Sequence, residues 1–197
     1  MKTVGIVLAG GLSRRFGSPK AFAKIGDESF YRRAVDALAP YCETVIIVTR
    51  PELIDHYPAG LEIIEDLPEY SGLGPLAGIL SVMEFVEADC YAVLPCDMPY
   101  VDQHIIGQLV KLYEQDVTAV VANGRQHPLI SIWNREVKNA LHNALTKKQL
   151  SVMQLLEKLD VFWVAGNALV ENEENIFKNM NTPIGLEGGL EVGSNCR

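Results

Sequence analysis

Val4-Gly5-Ile6-Val7-Leu8-Ala9-Gly10-Gly11-Leu12-Ser13-Arg14-Arg15-Phe16-Gly17-Ser18-Pro19-Lys20 is the stretch on which the reading of the chain turns. Its first five residues form a short, nearly continuous apolar run, the pattern of a strand covered on both faces and therefore of a parallel sheet. Ala9-Gly10-Gly11 stops that strand in a flexible turn. Behind the turn come Arg14, Arg15 and Lys20, three cations at what would be the C-terminal edge of the strand. Open parallel sheets bind their ligands at that edge.

Working outward, Tyr31, Ala34, Val35 and Leu38 recur at i, i+3, i+4 and i+7, which predicts a helix that Pro40 ends before the next apolar run, Val45–Val48. Leu61–Ile64 adds a short strand. A helix over Pro75–Val86 is entered from the glycine-rich Ser71-Gly72-Leu73-Gly74, and Tyr91–Leu94 is a further buried strand. Asp102 is the expected N-cap of a helix with a stripe of Ile105, Ile106, Leu109, Leu112 and Tyr113, followed by a strand over Val117–Val121. The second half is less regular. Leu129–Trp133 alternates like a strand, helices are expected over Arg135–Asn143 and Ser151–Leu159, and Val161–Val164 returns as a strand. Strands alternating with helices imply an α/β layer sandwich, three layers deep, with a mostly parallel sheet and right-handed crossovers. No linker or internal repeat separates the halves, so one domain over residues 1–184 is expected, with a loose glycine-rich tail over 185–197.

At 197 residues, 48% of them apolar and 21% charged, the chain has the composition of a soluble globular domain, and no apolar run reaches the roughly 18 residues of a membrane span. With 17 Lys and Arg against 25 Asp and Glu, the net charge of −8 leaves no broad basic field for nucleic acid or acidic lipid. Any nucleotide must be held locally. Charged residues follow the first apolar run where a leader's cleavage site should sit, and Cys42, Cys90, Cys96 and Cys196 have neither zinc-ligand nor disulfide-framework spacing. A reducing cytoplasm is the expected location.

Two segments carry chemistry. In the glycine loop, backbone N–H groups can approach an anion closely, while arginine offers forked donors and lysine a compact charge, a combination suited to a polyphosphate. The loop matches neither common nucleotide fingerprint: Gly17 is followed by Ser18-Pro19-Lys20 rather than directly by Lys, and G-x-G-x-x-G is absent. In Leu94-Pro95-Cys96-Asp97-Met98-Pro99, an aspartate directly follows a buried strand and two prolines stiffen its backbone. A carboxylate near a polyphosphate repels it unless a divalent ion sits between them, and one carboxylate with phosphate oxygens is a usual way to hold Mg²⁺. Asp97 is thus the expected metal ligand, facing the same edge as Gly10.

Taken together, Leu8-Ala9-Gly10-Gly11 through Phe16-Gly17-Ser18-Pro19-Lys20, then Gly74-Pro75-Leu76-Ala77-Gly78 and Cys96-Asp97-Met98-Pro99, resemble the molybdenum cofactor guanylyltransferase family. The likeness extends to Asn179-Met180-Asn181-Thr182-Pro183, similar to that family's N-x-N-T-P ending. It implies a Rossmann-like nucleotidyltransferase fold that takes GTP and molybdenum-bound molybdopterin and gives the guanine dinucleotide cofactor and pyrophosphate. It also implies transient contact with proteins that make or accept the cofactor. By motif match, Leu8, Ala9, Gly10 and Gly11 would line the GTP site, Lys20 would neutralise phosphate, Arg15 would be the loop arginine, and Asp97 would bind Mg²⁺. Asp66, in Glu65-Asp66-Leu67-Pro68, matches a nucleotide-contacting aspartate, while Asn179 and Asn181 match positions associated with the pterin substrate. Two departures stand out: Thr49-Arg50 lies where relatives can carry an asparagine near the base, and His127-Pro128-Leu129 replaces a frequent Q-P-L.

The residues agree with that chemistry on their own account. An anionic phosphate monoester needs no general base, so positioning and charge neutralisation are the main demands. Guanine presents adjacent N1–H and N2–H donors that one carboxylate can accept together; Asp66 is the candidate, with a ribose contact as its alternative role. His56, His104, His127 and His142 are scattered and expected as surface or capping residues, Cys96 as a small residue at a strand end, and Trp133 and Trp163 as core. The competing readings are a transferase using CTP or another phosphate acceptor, and a GTP-binding regulator without catalysis.

Overall fold

In the computed structural model, which describes residues 1–11 and 17–180, the opening apolar run becomes strand β1 (Thr3–Leu8) at the middle of the molecule. A small hairpin, β2 (Lys24–Ile25) and β3 (Glu28–Ser29), precedes helix α1 (Phe30–Leu38) and strand β4 (Thr44–Val48). Next come β5 (Glu62–Ile64), α2 (Pro75–Phe85), β6 (Cys90–Pro95) and α3 (Gln103–Lys111). Then follow β7 (Val117–Ala122), β8 (Arg125–Asn134), α4 (Lys138–Thr146), α5 (Val152–Leu156), β9 (Val161–Ala165) and the short α6 (Glu173–Ile176).

Seven strands form one sheet in the order β5-β4-β1-β6-β8-β7-β9. β1 lies parallel to β4 (Val4 opposite Thr44) and to β6 (Thr3 opposite Cys90), and β8 alone runs against its neighbours. The expected mostly parallel, three-layer α/β sandwich is thus observed. The two faces of β1 explain its unbroken apolar run. Val4 and Ile6 pack with α2, α4 and α5 on one side, Val7 with α1 and α3 on the other. Each such aliphatic side chain, wholly withdrawn from water, stabilises the fold by about 1.5–3 kcal/mol.

Helix entries follow sequence chemistry. Pro75 opens α2 after Gly74, whose φ of +88° suits glycine. Asp102 caps α3 by accepting from Ile105 N at 3.1 Å. Helix ends differ more from expectation. α3 stops at Lys111, so Leu112 and Tyr113 lie beyond the stripe assigned to them. The helix expected from Arg135 begins as a 3₁₀ turn, Arg135–Val137, capped by Asn134, and becomes α4 only at Lys138. α5 is shorter than expected because Lys158 N and Leu159 N bond three residues back, to Leu155 O and Leu156 O, tightening its end.

β8 is reversed because Asn123-Gly124, with φ of +53° and +67°, makes a two-residue hairpin turn after β7. Its ladder is interrupted. Ala119 pairs with Ser131 but Val120 pairs with His127, leaving Pro128, Leu129 and Ile130 as an excursion toward the strand ends where the cleft opens. Arg15, Asn181 and the tail 185–197 lie outside the described residues.

Candidate active site

At the C-terminal ends of β1, β4, β5 and β6 the sheet opens into a cleft of about 750 Å³, lined by Leu8, Ala9, Gly10 and Gly11 of the turn after β1. That volume is ample for a nucleotide-sized ligand. Lys20, Asp66, Asp97 and Asn179 line the same cleft, so of the site residues read from the sequence every described one comes together.

Asp97 stands just past β6. Its loop is tied on both sides: Cys96 N donates to Leu8 O at 3.1 Å, and Met180 N donates to Asp97 O at 3.0 Å. Lys20 begins the 3₁₀ turn Lys20–Phe22, and its Nζ lies 3.1 Å from Asp97 Oδ2, with only 15% and 24% of the two side chains exposed. A charge pair so far withdrawn from water has stronger electrostatics than a surface pair, and its geometry is set by the turns that carry it. Phe22 helps to fix the lysine's turn: its ring lies 4.7 Å from Tyr57 and 5.8 Å from Tyr31, between centroids. The Tyr57 hydroxyl, which burial pushes up to about 12, donates to Thr49 Oγ1 at 3.4 Å. One aromatic group thus connects the Lys20 turn to the loop after β4.

Asp66 enters from the loop after β5. Its Oδ2 accepts from Gly72 N at 3.0 Å, and burial raises its carboxyl above the ordinary range, an effect that the Gly72 bond opposes. The loop is held at both ends of its course. Ser81 Oγ accepts from Leu67 N and donates to Ala77 O, both at 2.8 Å, while the Tyr70 hydroxyl meets His142 Nε2 at 3.1 Å and Thr146 Oγ1 at 3.3 Å. Beneath it, α2 approaches β1 closely at Gly78, where a Cβ would stand 2.9 Å from Leu8 Cδ2 and 3.6 Å from Asp66 Oδ1.

The opposite wall comes from the β8 excursion and the segment after α6. His127, expected as a surface or capping residue, lines this wall instead and tilts against Phe177 at 5.8 Å. Burial lowers its pKa, opposed by a hydrogen bond to the Ala122 backbone. His56 and His142 are exposed, as expected, while each meets a neighbour, Phe22 for His56 and the Tyr70 hydroxyl for His142. Neither role leaves a local sequence signature, because each partner is distant in the chain. Cys96 is a packed strand-end residue as expected; burial first, then the Asp97 charge, push its thiol up to about 12, far from a thiolate at neutral pH. Trp133 is fully buried.

Arg50 also reaches the cleft, with its Cγ 3.8 Å from where a Gly10 Cβ would be, and its Nη1 lies 2.8 Å from Glu52 Oε1. Among the described residues no three His, Cys, Asp or Glu side chains group to hold a metal ion. The carboxylates that reach the cleft, Glu52, Asp66 and Asp97, stand on separate loops. Such a donor set could take a hard cation only together with phosphate oxygens and waters. No helix of the described residues is long and apolar enough to cross a membrane.

Comparison with known proteins is consistent with this geometry. Residues 5–161 match the family model of the MobA-like NTP transferase domain. A probable molybdenum cofactor guanylyltransferase of a Geobacillus species is 39% identical over 186 residues, covering 92% of this chain and 95% of the relative. Another, from Bacillus cereus, is 36% identical over 187 residues and covers 92% of each. The crystal structure of molybdopterin-guanine dinucleotide biosynthesis protein A from Archaeoglobus fulgidus superposes with a TM-score of 0.77 at 24% identity, covering 93% of this chain and 95% of that one.

Proposed function

We propose that the chain, which belongs to the MobA-like NTP transferase family, transfers GMP from GTP to the terminal phosphate of molybdenum-bound molybdopterin, as a molybdenum cofactor guanylyltransferase. The observation that carries this reading is the Lys20–Asp97 pair on one cleft with the glycine turn Leu8–Gly11. In the reaction an oxygen of the acceptor phosphate bonds to the α-phosphorus of GTP, the bond from that phosphorus to the bridging oxygen breaks, and its electron pair leaves on pyrophosphate. The nucleophile is already an anion, so no proton has to be removed first.

Backbone N–H groups of the glycine turn approach the triphosphate, and Lys20 neutralises charge that builds on it as the leaving group departs. Arg15 has the matching role on the distal phosphates in this reading. Asp97 would hold Mg²⁺, and that ion, when bound, supplies Lewis-acid neutralisation of phosphate oxygens. Asp66 accepts from the guanine N1–H and N2–H edge, Asn179 contacts the pterin substrate from the opposite wall, and Asn181 has a pterin role in the same reading. A cytoplasmic location and transient contacts with proteins that make or accept the cofactor belong to the same reading.

The test is a pyrophosphate-release assay that crosses GTP, CTP and ATP with molybdopterin, with and without Mg²⁺. Release with GTP that requires both the pterin and the metal is the expected result. Equal turnover of the three nucleotides, or no release with any, overturns the reading.

A further inference from the structure

We infer that Arg50 is a specificity-determining residue that donates to the O6 and N7 acceptors of guanine, beside Asp66 on the donor edge of the same base. The inference rests on the nucleotide reading above. Arg50 follows the end of β4 and Asp66 the end of β5; the two strands are parallel neighbours, with Thr49 N donating to Ile64 O at 3.0 Å. Topology thus brings a forked donor and a carboxylate acceptor to adjacent loops at one end of the cleft. Guanine carries two adjacent acceptors, O6 and N7, and two adjacent donors, N1–H and N2–H, and O6 and N1–H lie next to each other on the ring. Adenine offers an amino group where guanine has O6, so the same fork would meet a donor there.

The state of the guanidinium supports this role. Glu52 holds Nη1 at 2.8 Å, yet Nε is shielded from solvent and carries no hydrogen bond. A buried donor without an acceptor is costly, so exchanging it for an acceptor supplied by a ligand is favourable. Thr49 beneath is buried and linked to Tyr57, which fixes the backbone from which Arg50 springs.

The experiment measures equilibrium binding of GTP, 7-deaza-GTP and ITP to the full chain in Mg²⁺ buffer. 7-Deaza-GTP lacks the N7 acceptor; ITP lacks the N2 amino group. The full chain is expected to bind GTP at least about ten-fold more tightly than 7-deaza-GTP, since a bidentate contact of this kind is worth that order of discrimination. Arg50→Ala should bind GTP and 7-deaza-GTP alike while keeping its preference for GTP over ITP, and Arg50→Lys should recover part of the N7 discrimination. Equal binding of GTP and 7-deaza-GTP by the unaltered chain overturns the inference even if Arg50→Ala fails to fold, and so does discrimination that survives in a folded Arg50→Ala. Discrimination without any pyrophosphate release overturns the transferase reading alone. Guanylyl transfer without discrimination overturns this inference alone.

Discussion

Lys20 and Asp97 come from turns 77 residues apart in sequence and meet at 3.1 Å. Replacing either with alanine is expected to lower turnover by about 10² or more, the order lost with one preorganised electrostatic group. Near-normal initial rates in a pyrophosphate-release assay would remove these residues from the chemistry. Asp66 supports a different expectation. Burial raises its carboxyl, so the folded chain holds a proton there more tightly than the unfolded chain does. The resulting stability is present at acid pH and lost as pH rises through the folded-state value. Asp66→Asn removes this dependence while Asn Oδ1 can still accept from Gly72 N. The variant should melt above the parent at pH 7, with the gap closing below about pH 4, and should bind GTP more weakly. Thermal melts across that range and a nucleotide titration check both. Asp97 was legible as a cleft residue because it sits where a strand hands over to a turn, Lys20 because it is one of the cations behind the glycine turn, and Asp66 through its motif match. His127 and the Phe22–Tyr57 contact were not, since their surroundings are assembled from partners that no local pattern marks.

Helix α2 is placed by the absence of one side chain. At Gly78 a methyl group would stand 2.9 Å from Leu8 Cδ2 and 3.3 Å from Val48 Cγ1, so Gly78→Ala should push α2 away from the sheet and destabilise by about 1–3 kcal/mol. Chemical denaturation measures this, and an unchanged midpoint would show that Leu8 yields without loss. Asp102→Ala removes the α3 cap and should cost about 1 kcal/mol by the same measurement. The parallel strands and helix starts were readable from apolar runs, proline and capping residues. The direction of β8 was missed although Asn123-Gly124 is a hairpin signal, because the alternating run begins only at Leu129, past the excursion. Helix ends were the least legible, as at α5, where three-residue bonds replace four-residue ones.

Across the whole molecule the cleft has two builders. β1, β4, β5 and α2 shape the end with Gly10, Arg50 and Asp66, while β8 and the segment after α6 supply His127 and Asn179. Asn179→Ala is therefore expected to raise KM for the pterin substrate several-fold and leave GTP affinity unchanged. A matching loss of GTP affinity in a binding titration would contradict this division. The layered fold was legible as a whole because alternation sets it, whereas the meeting of the two walls depends on contacts between remote segments. One of those contacts, from Met180 N to Asp97 O, has a consequence in time. A ribosome makes β1 and β6 long before it reaches residue 180, so a nascent chain still attached at that point has its early strands but lacks the amide that clasps the aspartate loop. The aspartate loop thus gains this restraint only once translation has passed that residue.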